Sequence, residues 1–264
     1  MHPDWLIPRW PAPQGVKAMC TTRAGGQSAA PYDSFNLGDH VGDSAKDVAA
    51  NRSALARALG AKPVFLSQVH GVQVQWLGPD TPQDTCADAC LTDQPGMVCT
   101  IMVADCLPVL LTNVCGSHVA AAHAGWRGLA GEGGRGVLET TLEHFKALAG
   151  VNKGRGASEI IAWLGPCIGP NAFEVGEEVL AAFVAQNPAA LGLFRLASTS
   201  GIASPKWLAD LPGLARLRLS ALDVGRVYGN DGSKDWCTVS NPSLFFSHRR
   251  DRVSGRLAAC IWRS

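Results

Sequence analysis

Residues 98–103 and 109–111 are apolar and β-branched, of the kind found in strands buried on both faces of a sheet, and residues 119–122 and Ile160–Leu164 are similar. Residues 64–70 and 72–77 read as consecutive strands about Gly71, and residues 257–262 read as a closing strand. Helices are punctuated more clearly. Ser44 can cap a helix over Ala45–Leu59, with Asp47 three residues on and Gly60 at its end. Val48, Leu55 and Leu59 share one face of it. Residues 137–148 carry Leu138, Leu142, Phe145 and Leu148 at helical spacing, and residues 177–186 carry Val179, Leu180 and Phe183. Residues 211–222 place Pro212 in a first turn, where its missing N–H does no harm. Strands and helices alternate without strict βαβ order, so the expected class is α+β with mixed sheets.

The chain has 264 residues, which fits one large domain over 1–264. A hydrophobic content of 47% supports a sizeable core. With 23 basic and 22 acidic residues the net charge is +1, so nothing electrostatic favours nucleic acid or an anionic membrane surface. The start, MHPDWLIPRWPAP, lacks the apolar run of a signal peptide, and no apolar stretch approaches the ~18 residues of a membrane span. Nine cysteines, an odd number without framework spacing, suggest reduced thiols in a cytoplasmic protein. No heptad or long apolar edge is evident, and a monomer is expected. There is no repeat, charge block or interdomain linker.

Three residues are metal-capable and fall at the ends of expected buried strands. They are His70, Cys106 and His123, each near a glycine or proline turn. Ligands tend to sit beyond such strand ends in open sheets. Two imidazoles and one thiolate are a three-ligand set for catalytic zinc, leaving a fourth position free. The separations match no local zinc-finger pattern, so two core histidines and a buried free cysteine are the competing reading. Asp105 places a carboxylate beside the thiol. Trp126 offers a flat surface to a ring, and Arg127 a guanidinium to a phosphate; core packing and a structural ion pair are their bland alternatives. The segment Thr21-Thr22-Arg23-Ala24-Gly25-Gly26 brings another arginine beside a Gly-rich turn and runs on to Tyr32, Asn36, His40 and Asp43. Arg23, Tyr32 and Asn36 therefore join Trp126 and Arg127 as candidate substrate or phosphate contacts.

Ordered motifs along nearly the whole chain carry a resemblance. They include Thr21-Thr22-Arg23, Pro31 to Gly38, Gln68-Val69-His70-Gly71, Ala87-Asp88-Ala89 and Ala104-Asp105-Cys106-Leu107-Pro108. Ala122-His123-Ala124-Gly125-Trp126-Arg127-Gly128, Leu164 to Pro170, Phe173-Glu174-Val175-Gly176 and the tail Phe245 to Asp251 with Gly255-Arg256 follow. The chain resembles the laccase-domain proteins, also known as multicopper polyphenol oxidases, peptidoglycan editing factors or purine nucleoside phosphorylases. His248 departs from the tyrosine of many members, and the roles of His40, Cys167 and His248 stay open. The resemblance implies a four-layer α/β sandwich with mixed sheets, like that of putative cysteine hydrolases. It implies zinc ligands at His70, Cys106 and His123. The activity it implies is phosphorolysis of adenosine, inosine, guanosine and methylthioadenosine, with adenosine deamination as a side activity.

Three chemistries compete. A purine nucleoside enzyme needs an anion site, for which Arg23 and Arg127 are candidates, and a proton for the departing base, for which Asp105 ranks above Glu174. Asp105, Cys106 and His123 are then the candidate catalytic residues. Deamination would need an arrangement other than the usual zinc-deaminase signature, which is absent. Copper-dependent phenol oxidation also fits two histidines and a cysteine, but a multicopper cluster needs His-x-His pairs, and the seven histidines form none. A thiol hydrolase acting on a cell-wall precursor would use Cys106 as nucleophile and His123 as base.

Overall fold

The apolar runs become strands because each has an apolar layer on both sides. In a computed structural model describing residues 2–148, 159–197 and 205–264, β7 (Met97–Val103) and β15 (Leu257–Arg263) pair antiparallel. Their alternate residues enter two different cores. Cys99, Ile101, Val103, Leu257, Ala259 and Ile261 face one; Val98, Met102, Ala258, Cys260 and Trp262 face the other. β1 (Val16–Cys20) and β2 (Lys62–Val64) complete this sheet in the order β1-β15-β7-β2, with β2 parallel to β7.

A second sheet has six strands in the order β14-β10-β8-β9-β6-β4. They are β4 (Val74–Trp76), β6 (Ala89–Thr92), β8 (Leu107–Asn113), β9 (Val119–Ala124), β10 (Ile160–Leu164) and β14 (Arg226–Gly229). Its two edge pairings are parallel and its three inner pairings antiparallel. Two small sheets lie outside these. β3 (Leu66–Ser67) runs parallel to β5 (Thr85–Cys86), and β11 (Glu174–Val175), β13 (Trp207–Ala209) and β12 (Phe194–Leu196) form a small antiparallel sheet. Both large sheets mix parallel and antiparallel pairs, as the α+β reading expects.

Helices cover the outer faces. α1 (Ala45–Leu59) starts at Ser44, whose side chain accepts from the Asp47 amide, and stops at Gly60 in the left-handed region (φ 61°). Its Leu55 and Leu59 pack on the outer face of the four-stranded sheet. On the far side, α3 (Val137–Leu148), α4 (Glu177–Val184) and α5 (Leu211–Ala221) bury Leu138, Leu142, Phe145, Val179, Phe183, Leu214 and Leu219 against Val109, Leu111, Ala120 and Ala162. The middle core lies between the sheets, where Trp163 meets Trp236 edge-on at 6.0 Å between centroids. Two further short helices, α2 (Trp126–Ala130) and α6 (His248–Asp251), belong to the site. No described helix is long and apolar enough to cross a membrane. All nine cysteines are free.

One expected strand forms only in part. Over residues 64–70 the chain leaves β2 at Phe65, pairs again as β3 and ends its strand at Ser67, and His70 sits in a turn with φ 62°. The backbone amides of Val69, His70 and Gly71 leave the sheet because they all donate to the buried Asp88 carboxylate. The strand expected over 72–77 shortens to β4, and the helices over 177–186 and 211–222 end at Val184 and Ala221. Leu55→Ala should destabilise the protein by about 2–5 kcal/mol, since a fully buried seam residue leaves a cavity. The exposed Arg57→Ala on the same helix should stay within about 0.5 kcal/mol. Denaturant unfolding that gave equal losses would contradict this packing of α1.

Candidate metal centre and active site

Two turns and the end of a strand bring the three metal-capable residues together. His123 lies within β9, one residue from its end, on the face shared with Ala121. Cys106 is not at the end of a strand: it sits in the turn after β7 and immediately before Leu107, the first residue of β8. His70 is carried by the Asp88-bound turn, which Gln68 fastens to β7 by a paired amide contact, accepting from Met102 N and donating to Met102 O, both at 2.8 Å.

The three ligand atoms lie within 4.8 Å of one another. His70 Nε2 is 3.6 Å from Cys106 Sγ, and the two imidazole centroids are 4.8 Å apart. His123 Nδ1 donates to Asp88 Oδ1 at 2.8 Å, which fixes its tautomer and leaves Nε2 for the site. Backbone shape makes room for this cluster. A Cβ on Gly125 would lie 2.8 Å from His70 Cδ2 and 3.0 Å from Cys106 Sγ, and one on Gly128 would meet the Gly71 carbonyl at 2.8 Å. Only glycine lets α2 approach the ligand turns so closely. Two imidazoles and a thiol around a gap with one side open are a donor set suited to a metal ion.

Charges within the cluster support one another. Burial pushes the Cys106 thiol up, but the positive charge and hydrogen bonding of His123, with help from His70, outweigh it and leave the thiol at about 6. Burial alone would lower His123; the Cys106 thiolate and the Asp88 carboxylate instead raise it to about 9. Asp88, which burial alone would push up, is held below the usual carboxylate range by His123 and by the Gly71 and Val69 amides. Both shifts favour the Cys106 thiolate beside a protonated His123, and a thiolate is the form that ligates.

A cleft of about 430 Å³ opens over the cluster. Trp126, Phe173, Ile168, Met102 and Leu211 supply its apolar wall. Arg249, Arg252 and Arg256 supply a cationic one, and His40 and His248 line the cleft as well. Asp105 also lines it, but both carboxylate oxygens are engaged: Oδ1 accepts from Thr238 Oγ1 and Oδ2 from the Arg249 amide at 2.6 Å. Asp105 thus ties the ligand turn to α6.

Other expected contacts lie elsewhere. Arg23 bonds the Asp33 and Pro242 carbonyls, pairs with the Asp33 carboxylate and lines a separate surface depression. Arg127 is exposed, its guanidinium 4.5 Å from the Trp126 centroid, and is not among the cleft residues. Tyr32 donates to the Val41 carbonyl at 2.7 Å. Asn36 is buried and holds Gly38, Asp43 and the Arg256 amide. Glu174 is exposed and meets Arg249 through its carbonyl. Cys167 is buried, with Asn230 Nδ2 bonded to its sulfur, and its thiol is pushed well up by burial.

Sequence reasoning left Asp88 and Arg256 without a role. The signal for Asp88 was an acid between alanines in an apolar run, since a buried carboxylate must be paired. For Arg256 there was no local signal, because the residues that hold it, Asn36 and Gly38, lie far away in the sequence. Asp88→Asn should weaken metal affinity about 10- to 100-fold through misoriented His123 and a loosened His70 turn. Chelator competition on the folded variant measures this, and an unchanged affinity would contradict the organising role of Asp88.

Comparison with known proteins agrees with this architecture. The family model described as multi-copper polyphenol oxidoreductase laccase matches residues 17–264. A purine nucleoside phosphorylase of Pseudomonas aeruginosa is 45% identical over 98% of both chains. The purine nucleoside phosphorylase YfiH of Escherichia coli is 46% identical over 97% of this chain and 98% of its own. Among solved structures, a Neisseria meningitidis protein superposes with a TM-score of 0.84 at 42% identity, covering 99% of each chain. YlmD from Geobacillus stearothermophilus gives 0.81 at 32% identity over 95% and 92%. With its ordered motifs, its sheets and its His-Cys-His cluster, the chain belongs to the multi-copper polyphenol oxidoreductase laccase family.

Proposed function

We propose that this protein is a zinc-dependent purine nucleoside phosphorylase acting on adenosine, inosine, guanosine and methylthioadenosine, with adenosine deamination as a second activity. The observation that carries this reading is the His70–Cys106–His123 cluster at the base of a cleft with one aromatic and one cationic wall. Relatives 45% and 46% identical over almost their whole length bear the name purine nucleoside phosphorylase, which supports it.

A purine ring suits the Trp126 and Phe173 side of the cleft, where flat apolar surfaces take up a heterocycle. Zinc, when bound, supplies the Lewis acidity that a hydrolytic arm such as deamination needs. In phosphorolysis, a phosphate oxygen forms a bond to the sugar carbon that bears the base. The carbon–nitrogen bond breaks, the electron pair leaves with the base, and a proton returns to the base nitrogen. His40 and His248 line the cleft outside the ligand set and are the groups assigned in this scheme to exchange that proton. Asp105 serves as a positioning residue in this scheme, its oxygens being occupied by Thr238 and the Arg249 amide.

A cysteine hydrolase with Cys106 as nucleophile is the second reading, favoured by the 3.6 Å approach of His70 Nε2 to its sulfur. Metal dependence separates the two, because a ligand thiolate and a free nucleophile respond oppositely to chelation. Activity should fall on chelation and return with zinc. His70→Ala and His123→Ala should lose metal and turnover together; unchanged turnover in both would remove the metal from the mechanism. Chromatography of products from adenosine and inosine, with and without phosphate, should show phosphate-dependent release of adenine and hypoxanthine by the wild type and none by Cys106→Ala. Absence of any purine turnover by the metal-loaded protein would overturn the assignment.

A further inference from the structure

Among the described residues, the cationic wall of the cleft holds three arginines without a carboxylate partner. Arg256 is half-buried, and its Nη1 donates only to the carbonyls of Ser254 and Gly255 at 2.9 and 3.1 Å. Arg249 donates to the Glu174 carbonyl at 2.9 Å and lies over the Phe173 ring. Arg252 is exposed and reaches the cleft from the end of α6. The neighbouring Arg250 behaves differently: it pairs with Asp251, bonds three carbonyls and does not line the cleft.

The chain is built to hold Arg256 in place. Asn36 Oδ1 accepts from the Arg256 amide at 2.8 Å, and the Leu37 amide donates to the Arg256 carbonyl at 3.2 Å. A Cβ on Gly38 would lie 2.7 Å from Arg256 Cγ, so glycine there gives the side chain its path. A partly buried guanidinium is costly unless its charge and donors are matched; the nearby Cys106 and Asp105 charges offset Arg256 only in part, no carboxylate bonds to it, and an anion in the cleft would take up its remaining donors. The one acidic side chain lining the cleft, Asp105, has both oxygens engaged.

We propose that Arg249, Arg252 and Arg256 form the subsite for inorganic phosphate, with Arg256 at its centre. The proposal rests on the phosphorylase reading for its ligand but not for its geometry. Guanidinium forks match the oxygens of a tetrahedral phosphate. Asp105, next in sequence to the ligand Cys106, holds the Arg249 amide and so sets the distance between anion and metal. This role passes over Arg23 and Arg127, both of which lie off the cleft.

Calorimetric titration of the metal-loaded protein with inorganic phosphate, beside phosphate-dependence kinetics, tests the subsite. Arg256→Gln should weaken phosphate binding about tenfold or more, the loss expected of a charged hydrogen-bonding partner. Arg252→Gln, at an exposed side chain that folding does not need, should weaken it several-fold, and the KM for phosphate should rise while that for nucleoside holds. Phosphate binding that is unchanged in both variants, with phosphate-dependent turnover intact, would overturn the subsite and leave the phosphorylase reading standing. Loss of binding in both with no nucleoside turned over by the wild type would support the subsite and overturn that reading. Loss in Arg127→Gln alone, or adenosine 5′-monophosphate binding through Arg256 while inorganic phosphate does not, would overturn the proposal.

Discussion

A single buried carboxylate organises the site. Asp88 has no solvent exposure, and it accepts from the amides of Val69, His70 and Gly71 and from His123 Nδ1. Burying a charge is expensive unless it is paired and hydrogen-bonded, and here four donors meet that need. The same bonds pull residues 69–71 out of any strand and fix which nitrogen of His123 is free. One interaction therefore positions two of the three ligands, and the backbone of His123 returns the favour by donating to the Asp88 carbonyl at 2.7 Å. The third ligand, Cys106, comes under the same control through charge, since the His123 imidazolium that Asp88 helps to sustain is what draws its thiol down to about 6.

The site can form only because two sheets bury strands on both faces. β7 and β15 split their residues between an inter-sheet core and a core beneath α1, so neither strand can slip register without exposing one set. Cys106 and His123 lie where the inter-sheet core runs out. His123, one residue inside the end of β9, and Cys106, adjoining Leu107 of β8, keep their spacing better than ligands on free loops, because β8 and β9 pair directly beside them.

How much of this was legible follows from the range of each interaction. Ser44, Asp47 and Gly60 bracket α1 by contacts within a few residues, so its bounds could be read directly. Ile160–Leu164 and Val137–Leu148 carry their own period and also fell where expected. His70, Cys106 and His123 were legible as residue types near strand ends. The turn that carries His70 was not, because its cause is Asp88, 18 residues further along the chain. Shortened helix ends at Val184 and Ala221 reflect local fraying that composition does not fix.

Arginines show the limit most sharply. Arg23 and Arg127 sit in motifs that read as anion-binding, yet Arg23 uses its charge on Asp33 and Arg127 lies against an indole face. Arg256 has no such local context. Its position depends on Asn36 and Gly38, more than two hundred residues earlier. What an arginine does is decided by which of its donors the fold leaves unspent, and a linear pattern does not record that. Asn36 illustrates the same point in reverse: as a motif residue it invites a substrate role, but every polar atom of its side chain is committed within the fold, to Gly38, Asp43 and the Arg256 amide. Its contribution to binding an anion would be exerted entirely through that second residue.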